Sequence, residues 1–195
     1  MEKEVVIFGS YHDEPLEWYI LDKIDNKFLL VTKNIIDNIE FNNKLSSTTW
    51  EKSLIRQWLN NDFLNNTFTT EEYGHIQTTR VKTIDGVYNN VNGGNATDDK
   101  IFLLSVEEIE KYFPLLDSRI CGVTDYAKNK LGHDNSWWWL RSMVNAQYTP
   151  AYINKDGKVA SMSARNSYIG TRPAMWIDLS KTKDEYVKSQ IEYLK

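Results

Sequence analysis

An α+β fold is predicted: a twisted antiparallel sheet carrying several short helices. Three observations lead there. The first and last thirds of the 195-residue chain show short β-rich runs separated by turn residues. The middle third repeats a Ser/Thr-x-x-Glu spacing ahead of apolar residues at helical intervals. No internal repeat and no linker-like stretch divides the chain, so one domain over 1–195 is expected, with a helical insert at roughly 48–131.

The opening strands are Val5–Phe8, Leu16–Leu21 and Phe28–Val31, the last two joined by the turn-forming pair Asp25-Asn26. Thr48 to Glu51, Thr69 to Glu72 and Ser105 to Glu108 each have capping-box spacing. Leu54, Ile55, Trp58 and Leu59 form an apolar face behind the first box. Asn60-Asn61-Asp62 reads as its stop, and Pro114 ends the third helix. Thr124–Leu131 is a further helix, closed by Gly132. Asp85–Asp99 reads as a loop rich in Asn, Gly and Asp. The late strands are Trp137–Arg141, Ala151–Asn154, Lys158–Met162 and Pro173–Leu179. Asp156-Gly157 turns the middle pair, since a tight hairpin needs positive φ. Residues 184–195 read as a weak amphipathic helix or a tail.

Composition narrows the function classes. A net charge of −4 without a long basic run argues against a nucleic-acid partner. No 18-residue apolar run is present, so no membrane insertion is expected. A single cysteine, Cys121, and no visible secretory leader point to a reducing, cytoplasmic compartment. Seven Trp and eleven Tyr exceed what a core of this size demands, so part of the aromatic load is expected at a recognition surface.

Several runs together resemble an uncharacterised bacterial domain family of unknown function. They are Phe8-Gly9-x-Tyr11, Glu17-Trp18-Tyr19-Ile20-Leu21, Trp50-x-x-Ser53-x-x-Arg56-x-Trp58-Leu59-Asn60, Phe68-x-x-x-Glu72, Phe102-Leu103-Leu104-Ser105, Trp138-x-Leu140-Arg141-Ser142, Asp156-Gly157 and Gly170-x-Arg172-Pro173-Ala174. The late part is also similar to proteins of C-type-lectin-like fold, among them formylglycine-generating-enzyme-like domains and the variable proteins of diversity-generating retroelements. Those place a Trp-x-x-Arg strand, a hairpin and a Gly-x-Arg strand in this order, here Trp138 to Arg141 and Gly170-x-Arg172. The resemblance implies a C-type-lectin-like version of the α+β fold. It also implies a variable recognition stretch at Ser142 to Ile169, where Gln147, Tyr148, Tyr152, Arg165, Asn166 and Tyr168 lie.

The sites follow. Trp138, Arg141 and Arg172 read as structural: a core indole and two buried clamps, with anion binding as the arginines' alternative. Trp137 and Trp139 alternate with Trp138 along the strand and are expected to supply a stacking platform. With Tyr148, Tyr152, Arg165, Asn166 and Tyr168 they make the expected ligand-binding set. Formylglycine-generating enzymes use cysteine chemistry, and Cys121 stands alone, so it reads as an inert buried thiol. His12, His75 and His133 lack metal-ligand spacing. No cofactor site is read. Asp85, Asn89, Asn92, Asp98 and Asp99 offer calcium-type oxygens without the regular spacing or a closing Glu. The favoured function is non-catalytic recognition of a protein or glycan. The alternatives are an enzyme whose acid and base meet only in three dimensions, and a phage or cell-envelope structural component. The oligomeric state is not readable.

Overall fold

The computed structural model describes residues 3–44, 48–83, 92–131, 136–146 and 148–180. In chain order the strands are β1 (Val5–Tyr11), β2 (Glu14–Ile24), β3 (Lys27–Thr32), β4 (Thr79–Val81), β5 (Thr97–Asp99), β6 (Trp138–Met143), β7 (Pro150–Ile153), β8 (Val159–Ser161) and β9 (Ala174–Asp178). The helices are α1 (Leu54–Trp58), α2 (Leu64–Thr67), α3 (Thr70–His75), α4 (Val106–Tyr112) and α5 (Asp125–Leu131). Short 3-10 turns sit at Trp50–Lys52 and Leu116–Arg119. The class is therefore α+β with antiparallel sheets.

One sheet has the order β1-β2-β3-β9, so strands from the two ends of the sequence share it. Two-residue turns close its first hairpins. His12 and Asp13 (φ 49° and 64°) join β1 to β2, and Asp25 (φ 52°) opens the turn into β3. The free edge of β9 is covered by bridges from Ile76 to Ile177 and from Phe102 to Ala174, which removes an open template for aggregation. A second sheet, β6-β7-β8, is tied to the approach of β9 through a parallel bridge from Trp138 to Gly170. Its β7–β8 hairpin turns at Gly157, whose φ is 73°. A Cβ there would lie 2.0 Å from the Leu116 carbonyl oxygen, so glycine is required twice over.

A short hairpin, β4–β5, falls in the region expected to be helices and loop. Thr97–Asp99, read from the sequence as loop, is its second strand. The Asp85 side of that segment lies outside the described residues, as do Gly132, Gln147 and 184–195.

Two helix boundaries also differ from expectation. Thr48 caps nothing. Glu51 turns outward to bond the Asn95 side chain, and the helix begins one turn later with Ser53 Oγ accepting from Arg56 N. Asn60-Asn61-Asp62 does not stop the helix. The chain passes through a π-helical turn, Leu59–Phe63, into α2. The Asn60 side chain donates back to the Arg56 carbonyl one turn earlier and also finds distant partners at residues 100–101. The boxes at Thr69–Glu72 and Ser105–Glu108 form fully.

Candidate functional site

The polar side chains of the quoted runs are consumed in holding the fold. Asp99 has no exposed side-chain surface. It accepts from Arg56 Nε at 2.7 Å, Trp50 Nε1 at 2.9 Å and Thr97 Oγ1 at 2.6 Å. Asn60 donates to the Ile101 carbonyl and accepts from Lys100 N and Ile101 N. Trp50, Arg56 and Asn60 thus fasten the helix that Ser53 caps to residues 97–101, with both carboxylate oxygens of Asp99 satisfied. Glu72 joins two elements: Oε2 accepts from Thr69 N in the capping box, and Oε1 accepts from Gly9 N at 2.8 Å. Gly9 sits at the β1 bulge with φ 74°, and a Cβ there would meet the Phe68 ring at 2.7 Å.

Arg141 joins three parts of the chain. It is buried, donates to both Glu108 oxygens at 2.5 and 3.0 Å, and reaches the Leu103 and Lys82 carbonyls. Glu108 also completes the capping box of α4, and Ser142 Oγ accepts from Val106 N. The Arg-Ser pair on β6 therefore fixes the start of α4.

Arg172 is equally buried at 1% exposure but has a different environment. Nε donates to the Thr32 carbonyl at 2.7 Å and Nη2 to that of Lys33 at 3.3 Å, while Nη1 has no hydrogen-bond partner. Its charge is sandwiched by rings: Trp138 at 4.8 Å, Phe113 at 5.2 Å and Tyr19 at 5.9 Å. Among the described residues no carboxylate pairs with it. Burial pushes the guanidinium pKa down, but arginine stays charged in proteins.

The expected ligand-binding set separates into two groups. Trp139 is wholly buried against Phe41 and Tyr152, and Tyr152 is buried as well. Trp137 is half-buried on Tyr152, ring centroids 5.6 Å apart. Trp139 and Tyr152 pack beneath the surface because β6 is covered on both faces, and Trp137, just ahead of β6, is only partly covered. Trp138 occupies the opposite face over Arg172, with Nε1 donating to the Arg119 carbonyl. The second group is on the surface. Tyr148 is 53% and Tyr168 61% exposed, Arg165 is exposed and Asn166 half-buried. Their turns are joined: Ala164 N donates to Tyr148 O, Tyr168 N to Asn166 Oδ1, and Asn42 N to Ala164 O.

Other reactive groups are engaged locally. Burial pushes the Cys121 thiol up, which suits an inert role. His12 stacks on Tyr126 at 3.7 Å, and His75 Nδ1 lies 3.2 Å from the Asp178 carbonyl; His133 is outside the described residues. Asp98 pairs with Arg80 and Asp99 is occupied as above. Asn92 Oδ1 accepts from Gly94 N; Asp85 and Asn89 lie outside the described residues. Among the described residues no group of three or more His, Cys, Asp or Glu is placed to hold a metal ion.

A cluster that sequence reasoning missed joins Tyr11, Asp37 and Lys130. Tyr11 OH donates to Asp37 Oδ2 at 2.7 Å, and Lys130 Nζ to Oδ1 at 2.6 Å. Burial first, then the Asp37 hydrogen bond, pushes the Tyr11 phenol far above its ordinary range. The 93-residue separation of Asp37 and Lys130 leaves no local signal. A cleft of about 240 Å³ lined by Tyr11, His12, Trp58 and Asp62 lies beside it.

The architecture of the described residues is α+β with three antiparallel sheets, of four, three and two strands. Residues 25–179 match a family described as "Domain of unknown function (DUF6273)", and the chain belongs to that family. No curated protein and no solved structure matches it. No helix of the described residues is long and apolar enough to cross a membrane.

Proposed function

We propose that the chain is a non-catalytic recognition module of C-type-lectin-like kind that binds a protein or glycan in a reducing, cytoplasmic setting. One observation carries the reading. Two hydrogen-bonded turns on the rim of β6-β7-β8 present Tyr148, Arg165 and Tyr168 to solvent, while Trp138 and Arg141 of β6 are buried and bonded within the fold. Aromatic and guanidinium side chains on a rigid frame give large contact area at low entropic cost. The lectin-like assignment draws support from the first and last described strands sharing a sheet. The late order of Trp138–Arg141 strand, β7–β8 hairpin and Gly170-x-Arg172 segment agrees with it.

The test is a glycan array and an affinity capture, each run with the parent chain and with a Tyr148→Ala, Arg165→Ala, Tyr168→Ala triple variant. Binding that survives in the folded triple variant places the recognition surface elsewhere and refutes this reading.

A further inference from the structure

A cleft of about 450 Å³ lies on another part of the molecule, between the start of the chain and residues 112–120. That volume is in the range of small-molecule sites. Its walls include Tyr19 and Phe113, with Leu115 and Ile120 at 71% and 42% exposure. Lys3 lines it, with Nζ donating to the Tyr112 carbonyl and lying 4.6 Å from the centre of the Phe113 ring. Among the described residues no carboxylate is bonded to the Lys3 ammonium.

Arg172 stands behind the same two aromatic walls, at 5.2 Å from Phe113 and 5.9 Å from Tyr19. It is fully buried, has no anionic partner among the described residues, and keeps Nη1 without a hydrogen bond. A buried charge normally demands a countercharge, because desolvation is costly and carbonyls compensate only in part. Asp117, exposed at the cleft, is the carboxylate among its lining residues and is bonded to neither cation. One cation and an exposed apolar lip therefore line this concavity, and a second, buried cation stands behind its aromatic wall.

We propose that this cleft binds a carboxylate attached to an apolar body, the anion seated beside Lys3 within the field of Arg172 and the apolar part on Leu115, Phe113 and Ile120. The shared chemistry could come from a free aliphatic acid or from the C-terminus of a peptide ending in an apolar residue. The test titrates the full chain with octanoate against octanamide, and with a short leucine-terminated peptide against its C-terminal amide. The readout is the movement of the Lys3, Phe113 and Ile120 backbone amide resonances.

Saturable shifts are expected with at least one acid and with neither amide; which acid binds identifies the source. Lys3→Met, at a half-buried position outside the core, should weaken acid binding about tenfold while leaving the circular dichroism unchanged. The Tyr148/Arg165/Tyr168 triple variant should bind the acid as the parent does, which separates this site from the recognition face. The proposal is overturned if neither acid moves those resonances, if acid and amide bind alike, or if folded Lys3→Met binds the acid undiminished.

Discussion

Arg141 and Arg172 are both buried and both lie in late segments of the chain, yet they stabilise it differently. Arg141 is paired with Glu108, and that carboxylate simultaneously caps α4. Arg172 rests on two carbonyls and three aromatic rings. A charge with a carboxylate belongs to a network in which each member becomes an orphan when the other is lost. A charge on carbonyls and ring faces leaves only neutral groups behind. Burial alone therefore does not tell what a buried arginine is worth.

The largest effect is expected where a buried carboxylate holds several donors at once. Asp99→Ala should destabilise the chain by about 3–5 kcal/mol, since Arg56, Trp50 and Thr97 all lose their acceptor. Chemical denaturation measures this, and a loss below that of Glu108→Ala would reverse the ranking of the two networks.

Glu108→Ala should cost about 3 kcal/mol by orphaning Arg141, and Glu108→Gln clearly less, because the amide still reaches the Ser105 amide or the guanidinium region. Arg172→Met sharpens the contrast. With no carboxylate stranded and the aromatic sandwich still filled, it should cost about 1–2 kcal/mol. A buried carboxylate partner would raise that cost to about 3–5 kcal/mol, and the carbonyl pairing strands none. Equal losses for Arg172→Met and Arg141→Met would show that the partner's charge is irrelevant.

A smaller, pH-dependent effect is expected at Asp22. Its carboxyl is held below the ordinary value by hydrogen bonds from Tyr112 first and Lys111 second. A lowered folded pKa contributes stability that is fully present above the unfolded value of about 3.9 and is lost as pH falls through the folded value. Asp22→Asn should therefore reduce stability at neutral pH and leave it little changed at the acid end. A stability difference independent of pH would break this assignment.

The smallest effects belong to the rim. The Tyr148/Arg165/Tyr168 triple variant should stay within about 0.5 kcal/mol of the parent per position, as exposed substitutions do. A calcium chelator should leave the melting temperature unchanged, because Asp98 and Asp99 are already bonded within the fold.

Local signals carried a large part of the architecture. The strands of the opening meander, the Thr69 and Ser105 capping boxes, the Pro114 stop and the Asp156-Gly157 hairpin follow from backbone rules that act over a few residues. Where such rules failed, a distant group had intervened. Asn95 drew Glu51 away from a cap, and residues 100–101 drew Asn60 away from a helix stop. The two faces of β6 show the same limit. Alternation placed Trp138 opposite its neighbours, but that both faces would be covered, burying Trp139 and Tyr152, depended on what packed above and below.

The sequence by itself determined the α+β class, the order along the chain of the strands in the two larger sheets, and that Arg141 and Arg172 would be buried. These depend on periodicity, turn chemistry and the company of apolar neighbours. Only the tertiary structure decided which arginine received a carboxylate. It also decided which aromatics reached solvent, that Asp99 would gather three donors, and that Lys3 would stand beside a wall backed by Arg172. Those pairings join residues tens of positions apart. Their energies depend on distance and desolvation in space, quantities that no local pattern of residues encodes.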